Sequence, residues 1–280
     1  MSRPFLAGER VLLLDRKARR YLITLRAGGE FHTHAGFVLH DDLLGAEEGT
    51  TARSTKGAAF LAVRPTLAEY VLGMPRGAQV IYPKDLGTIL MVADIFPGAR
   101  VLEAGVGSGA LSMTLLRAGA SVVGYEVRED FARRAEANVA GFLGPEAVAR
   151  YQVQERDVYA GIEEVGLDRI LLDLPEPWRV VKHAEGALRS GGILVAYVPS
   201  ITQVAQLRDT LASSSFVMAQ SLEVLLRTWH VEGQAVRPDH RMVAHTGFLT
   251  SARLVSADTP PPPEPPPPEP PPPPEPEPAQ

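Results

Sequence analysis

The chain has 280 residues, 45% of them hydrophobic, with a formal net charge of −5 and no cysteine. That length and apolar content suffice for a sizeable core and for two domains. Without thiols there are no disulfides, thiolate metal sites, iron–sulfur clusters or cysteine nucleophiles.

The N-terminus, MSRPFLAGER, lacks the apolar stretch of a signal peptide, and no apolar run is long enough to span a bilayer. A soluble cytoplasmic protein with no membrane partner is expected. The acidic balance comes from Asp258, Glu264, Glu269, Glu275 and Glu277, in a segment that holds no Lys or Arg. The body before it is formally neutral and can still carry a basic face, so net charge does not exclude nucleic acid.

In chain order, residues 1–75 read as a small β-rich domain. VLLL and RYLITL flank DRKAR as a hairpin, RAGGEF supplies another turn, and TLAEYVLGM is the first helix. Residues 76–256 read as a catalytic domain in which strands and helices alternate. DLGTILMVADIF suits a helix, ARVLEAG a buried strand, and ALSMTLLRAG a helix closed by Gly119. SVVGYEV is a strand and EDFARRAEANVAGFLG a helix; YQVQERDVY, RILLDL and ILVAYV are further strands. VVKHAEGALRSGG and ITQVAQLRDTLASS are the helices between them. Such alternation implies a parallel sheet covered on both faces. SLEVLLRTWHV and TGFLTSARLV are strands joined without a helix, so the last must run antiparallel. Residues 257–280 form a tail that carries fifteen of the 25 prolines. It is expected to stay extended as a solvated, polyproline II-like spacer, and its partner is unknown.

The strongest short signal is VLEAGVGSGALS. Gly105, Gly107 and Gly109 leave a buried strand and enter a helix, where glycine permits a tight turn and close approach of a ligand to the backbone. Glu126 ends the next strand, where a carboxylate can accept both ribose hydroxyls of an adenosine cofactor. Gly105-x-Gly107-x-x-Ala110 also satisfies the dinucleotide fingerprint, so NAD stays open at this point. Three features favour S-adenosylmethionine. Glu103, two residues before the first glycine, would repel a pyrophosphate and attract an ammonium. Asp157, in QERDVY at the end of the third strand, is placed to bond the exocyclic amine of adenine. The glycine loop also lies about 100 residues in, after a separate domain and a helix.

LLDLPEPW closes the fourth strand, at the switch point where open α/β sheets bind ligands. Asp173 would project from there toward the cofactor's methyl, and the prolines fix the backbone while leaving its carbonyls free. This resembles the layout of methyltransferases acting on amino-bearing bases, which present Asp/Asn-Pro-Pro-aromatic at that point. Lacking cysteine, the chain cannot perform C5 methylation through a thiolate or radical methylation. Direct transfer to nitrogen or oxygen remains.

FHTHAGFVLHDDLLG, RPTLAEYVLGMPRGAQVIYPKD, VLEAGVGSGALS, LLDLPEPW, YVPSITQV and HTGFLT together resemble the tRNA (adenine-58-N1)-methyltransferase family of bacteria and archaea, and the catalytic subunit of the eukaryotic enzyme. The resemblance covers residues 5–254; it departs at Val106, where a small polar Thr is common. It implies a Rossmann-like class I methyltransferase fold, with a seven-stranded sheet whose last strand is antiparallel, behind a small β-rich N-terminal domain. It also implies a homotetramer that binds the T-arm of tRNA through its N-terminal domains and neighbouring subunits. Asp173 would hold the cofactor's amino group and the exocyclic amine of the target adenine, with Tyr82 lining the same pocket as its catalytic companion. The cofactor would lie along Gln79, Val80, Ile81, Tyr82, Glu103, Ala104, Gly105, Val106, Gly107, Ser108, Gly109, Ala110, Glu126, Phe131, Asp157, Val158 and Asp173. Adenine-58 would have to be flipped from its stack to react.

His32, His34 and His40 look like a metal cluster, but the resemblance supplies no metal and a structural role is expected. Arg16, Lys17, Arg19 and Arg20 form a basic hairpin tip, and Trp229, His230, Arg237 and His240 sit in the last long loop. Three alternatives remain: a methyltransferase acting on a small molecule or protein, an NAD-dependent oxidoreductase, and a non-catalytic RNA-binding subunit.

Overall fold

The computed structural model describes residues 3–77 and 79–256, so the expected tail lies outside the described residues. Strands β1 (Arg10–Asp15), β2 (Arg20–Thr24), β3 (Glu30–Thr33), β4 (Gly36–Leu39), β5 (Thr51–Arg53) and β6 (Ala59–Val63) come first. Four of them form an antiparallel sheet in the order β2-β1-β6-β5, and β3 and β4 make a separate hairpin. Phe5, Val11, Leu13, Leu25, Val38, Leu43 and Phe60 build one core inside this region.

Helix α1 (Leu67–Gly73) starts where the sequence requires it. Thr66 accepts the Glu69 N–H while the Glu69 carboxylate accepts the Thr66 N–H, a reciprocal cap. Helix α2 (Pro83–Val92) begins two residues earlier than expected, because Pro83 fits a first helical turn that needs no N–H.

Next come β7 (Arg100–Ala104), α3 (Ala110–Arg117), β8 (Ser121–Glu126), α4 (Glu129–Leu143), α5 (Pro145–Val148), β9 (Tyr151–Glu155) and β10 (Leu167–Asp173). They are followed by α6 (Val181–Ala187), β11 (Leu188–Val198), α7 (Ile201–Ala212), β12 (Phe216–Glu223), β13 (Trp229–Glu232), β14 (Ala235–Pro238) and β15 (Phe248–Leu254). The main sheet has seven strands in the order β12-β15-β11-β10-β7-β8-β9, and β15 runs antiparallel to both neighbours. This is the expected α/β methyltransferase architecture.

Side-chain alternation decides what faces the site. Val101, Leu171 and Val195 belong to the core shared with α2 and α3, whereas Leu102, Ile170, Leu172 and Leu194 belong to the core under α6 and α7. Stepping two residues along each strand places Glu103, Asp173 and Tyr197 on the α2–α3 face. Register aligns Leu171 with Glu103 and Asp173 with Tyr197, so the three polar groups cluster at neighbouring strand ends.

Three further boundaries depart from the sequence reading. β9 stops at Glu155, and Val158–Ala160 forms a short 3-10 turn. α6 ends at Ala187 rather than extending through the glycines; Leu188 already pairs with β10. The stretch SLEVLLRTWHV is not one strand: Glu223 pairs with Phe248, the first residue of β15, so β15 offers it no partner beyond that point and the chain leaves the sheet, with one bridge from Leu226 to Val243. It returns as the exposed hairpin β13–β14, turned at Gly233 with φ 55°.

Arg169 fastens the start of β10 to the end of α2. Its side chain, 3% exposed, donates to the carbonyls of Ala93, Asp94 and Asp168 and to the Asp94 carboxylate at 2.8 Å. A cation at a helix C-terminus also opposes the helix dipole. Arg169→Ala should leave these carbonyls without their donor and lower unfolding stability by about 1–3 kcal/mol. Urea titration checks this; an unchanged midpoint would contradict it.

Candidate active site

The site is built on the close approach of two strand ends. A Cβ at Gly105 would stand 2.1 Å from the Asp173 carbonyl oxygen, and Gly105 adopts φ +85°. Only glycine fits there. Gly124 likewise leaves the space that Val106 fills, since a Cβ would lie 2.7 Å from the valine methyl. Glu126, 7% exposed, accepts the Gly107 N–H on one oxygen and the Arg128 N–H on the other, each at 3.0 Å. It therefore anchors the glycine loop, and each oxygen keeps a lone pair for a ligand hydroxyl.

A small cavity of about 20 Å³ opens between this loop and the segment before α2. Its walls are Gln79, Val80, Ile81, Glu103, Gly105, Val106, Gly107, Ser108, Ala110, Leu111 and Asp173. The volume admits one water-sized group, which is also the size of an ammonium. Glu103 is fully buried; one oxygen accepts the Ser112 hydroxyl at 2.6 Å, and that hydroxyl accepts the Tyr151 O–H at 2.9 Å. Its other oxygen, Oε1, has no partner, and neither does the buried Ser108 hydroxyl. Unpaired buried polar atoms are costly, so two on one cavity call for a water or a ligand group to bond them.

Burial pushes the Glu103 carboxyl up to about 8; the Ser112 bond opposes this, and the charges of Asp173 and Glu126 add to it. Burial, then the Glu126 charge, pushes Asp173 up to about 7. Both groups favour a cation in the cavity. The first turn of α3 lines the opposite wall, and helix N-termini attract carboxylates. Carboxylates facing a helix start match the ammonium and carboxylate of an α-amino acid. A pyrophosphate would face two acids.

The other expected residues take varied places. Phe131 stacks under the Arg128 guanidinium at 3.9 Å and closes against Gly77, whose Cβ would lie 2.9 Å from the ring. Tyr82 is half-buried before α2 and is not on the cavity wall. Gly109 caps α3, and Ala104 is buried in the α6–α7 core. Asp157 does not end the strand as expected: it is exposed and caps the turn after β9 by accepting the Tyr159 N–H at 2.9 Å. Val158 has its side chain in the α6–α7 core, so only its backbone can reach a ligand.

Several supporting residues carry no local sequence motif. Asn138, buried on α4, donates to the Pro75 and Ser108 carbonyls at 3.1 and 3.0 Å and so ties together the two walls. Its signal was a polar residue on the apolar stripe of Ala135 and Val139. Lys84 and Asp85 form a buried ion pair at 2.9 Å; Lys84 also donates to the Val224 carbonyl and Thr246 hydroxyl at 2.7 and 2.6 Å. Thr246 in turn donates to Asp85 at 2.6 Å, and its carbonyl accepts the Tyr197 O–H at 2.6 Å. This network holds Tyr197 next to Asp173.

His40 is buried and accepts the Arg26 N–H at 3.1 Å, whereas His32 sits beside Glu30. Among the described residues no three metal-ligating side chains come together. Of the basic hairpin tip, Arg19 pairs with Asp15 and Arg20 with Glu69. Trp229 is 58% exposed on β13, where His230 faces Arg237 across the hairpin.

Residues 59–237 match the family described as tRNA methyltransferase complex GCD14 subunit, and residues 4–51 match TrmI-like N-terminal. A Thermus thermophilus protein named tRNA (adenine(58)-N(1))-methyltransferase TrmI is 42% identical over 246 residues, which cover 87% of this chain and 96% of that one. The crystal structure of a Thermotoga maritima protein described as a SAM-dependent O-methyltransferase superposes with a TM-score of 0.85 at 32% identity, covering 90% of this chain and 95% of that one. The Aquifex aeolicus tRNA (m1A58) methyltransferase TrmI superposes with a TM-score of 0.79 at 28% identity, covering 91% and 100%.

The raised carboxyls make stability fall with pH. Folded protein keeps a proton on Glu103 that unfolded chain loses near its ordinary value of 4.5, so the penalty grows from there and is complete above about 8. Glu103→Gln keeps an acceptor for Ser112 and removes the titration. In denaturant titrations between pH 5 and 8 wild type should lose stability, by at most about 1.4 kcal/mol per pH unit per carboxyl, and the variant should lose less. Equal slopes would contradict the assignment.

Proposed function

This chain belongs to the tRNA methyltransferase family described by the GCD14 subunit, and on that premise we propose that it transfers a methyl group from S-adenosylmethionine to N1 of adenine-58 in the T-loop of tRNA. The observation that carries the reading is the unpartnered Glu103 oxygen, which shares one small cavity with Asp173 beside a glycine loop. Glu103 and Asp173 would hold the amino-acid end of the cofactor, and Glu126 its ribose. The cofactor supplies an electrophilic methyl on a sulfonium.

The protein's own contribution is positioning and charge. Adenine N1 has an unshared pair and needs no base to expose it, but it becomes positively charged on methylation. A carboxylate at Asp173 would stabilise that developing charge and accept from the exocyclic amine. Tyr197, oriented by its bond to Thr246, closes the side of Asp173 away from Glu103. Tyr82, at the residue before α2, would line the entrance for the base. Phe131 and Asp157 would lie along the outer part of the cofactor.

Retention of Glu103, Gly105, Gly107, Glu126 and Asp173 sets the chain apart from a non-catalytic subunit. In this reading residues 1–75 bind RNA, residues 76–256 perform the chemistry, and residues 257–280 take no part. The protein works as a cytoplasmic homotetramer. The exposed apolar side chains of Trp229, Val231 and Val236 on the β13–β14 hairpin supply surface for contact between copies. Among the described residues no helix is long and apolar enough to cross a membrane.

Nucleoside mass spectrometry of unmodified tRNA incubated with the protein and S-adenosylmethionine should show 1-methyladenosine at position 58. Asp173→Ala should fold, bind tRNA with near-normal affinity, and transfer methyl at least about 100-fold more slowly in a single turnover. A near-normal rate would remove Asp173 from the chemistry.

A further inference from the structure

A cleft of about 760 Å³ lies between the N-terminal sheet and the far ends of α3 and α4. The site residues sit at the carboxyl ends of the strands, whereas Arg117 in this cleft closes α3 at the opposite edge of the sheet. Four arginines line the cleft, Arg3, Arg10, Arg64 and Arg117; Glu9 is the one carboxylate in the lining, and Arg64 also pairs with Glu48 at 3.1 Å. Glu9 is already committed, with one oxygen 3.1 Å from Arg3 and the other 2.8 Å from Arg64. No carboxylate of the described residues pairs with Arg10 or Arg117.

These two guanidiniums lie over aromatic rings, and Arg10 also donates to the Thr24 hydroxyl. Arg10 lies over Tyr70 at 5.8 Å and Arg117 over Phe142 at 5.9 Å. Tyr70 and Phe142 stack on each other at 4.2 Å with planes 7° apart. Cation–π contact with a fixed ring pair orients a guanidinium without neutralising it. The buried Nε atoms of Arg10 and Arg64 have no hydrogen-bond partner in the protein. The last turn of α4 also lines the cleft, but its dipole amounts to only about half a negative charge, well below the excess of arginines.

We propose that this cleft is a second, non-catalytic binding site that takes a ligand with more than one phosphate. Arg10 and Arg117 stand on separate rings, so the cleft fits a phosphodiester chain or a polyphosphate better than one isolated anion. The RNA form of the proposal rests on the tRNA reading above; the phosphate chemistry does not.

The test uses the full chain with Arg117→Ala, since Arg117 is exposed and bonds no other side chain, and with Arg10→Gln as a second variant. Binding of unmodified tRNA is measured across a salt series, and binding of inorganic tripolyphosphate by calorimetry. If RNA occupies the cleft, Arg117→Ala weakens tRNA binding about tenfold or more. The slope of log affinity against log salt then falls by about one, and Arg117→Lys retains most of the binding. S-adenosylmethionine affinity stays at the wild-type value in every variant. If tRNA binding is unchanged but wild type binds tripolyphosphate and both charge-removing variants lose it, the ligand is a free polyphosphate and the site stands. Unchanged tRNA binding together with no tripolyphosphate binding overturns the proposal. Methylation of tRNA by wild type reads the functional reading separately.

Discussion

A carboxyl group taken wholly out of water, with one oxygen unpaired, is the constraint on which the site depends. Glu103 occupies the last buried position but one of β7, on the face packed by α2 and α3. Desolvating a charge there costs far more than one hydrogen bond from Ser112 returns, so without a cation the group tends to keep its proton. Asp173 reaches the same cavity from β10 and adds a second carboxyl with the same difficulty. A sheet that placed apolar residues at both positions would be more stable. A positive group between the two acids at these adjoining strand ends would offset that cost.

The surrounding structure is arranged to keep those acids close together. Gly105 lets β7 turn away directly against the Asp173 carbonyl. Glu126 pins the loop that follows, and Asn138 joins that loop to the segment ahead of α2. The Lys84–Asp85 pair does the equivalent work on the β11–β15 side through Thr246 and Tyr197. That pair is buried and fully bonded, and removing one partner would leave an uncompensated charge. The second cluster of charge, the arginine cleft at the opposite edge, contrasts with this: Arg10 and Arg117 rest on aromatic rings rather than on carboxylates.

Much of this was legible in the sequence because it is local. Strand–helix alternation gave the sheet, and the missing helix before TGFLTSARLV gave its antiparallel last strand. Glu103 and Asp173 were identified by their distance from glycines and prolines, and the period of two places both on one face. What escaped depends on contacts far apart in the chain. Tyr151 reaches Ser112 across 39 positions, and Lys84 reaches Thr246 across 162. Asp157 reads in the sequence as the end of a strand, yet its carboxylate accepts the backbone N–H two residues on, a habit of short acids that competes with strand pairing. The β13–β14 hairpin was missed because apolar content alone does not reveal where a partner strand runs out.

The central claim is that Glu103 and Asp173 together receive a cation. Titration calorimetry of S-adenosylmethionine at pH 7, repeated in buffers with different heats of ionisation, counts the protons exchanged on binding. Wild type should release protons, on the order of one per cofactor bound, because both carboxyls must ionise to meet the ammonium. Glu103→Gln should release fewer. Heats of binding that do not vary with the buffer would show that the two carboxyls are already charged or stand apart from the ligand, and would contradict the account.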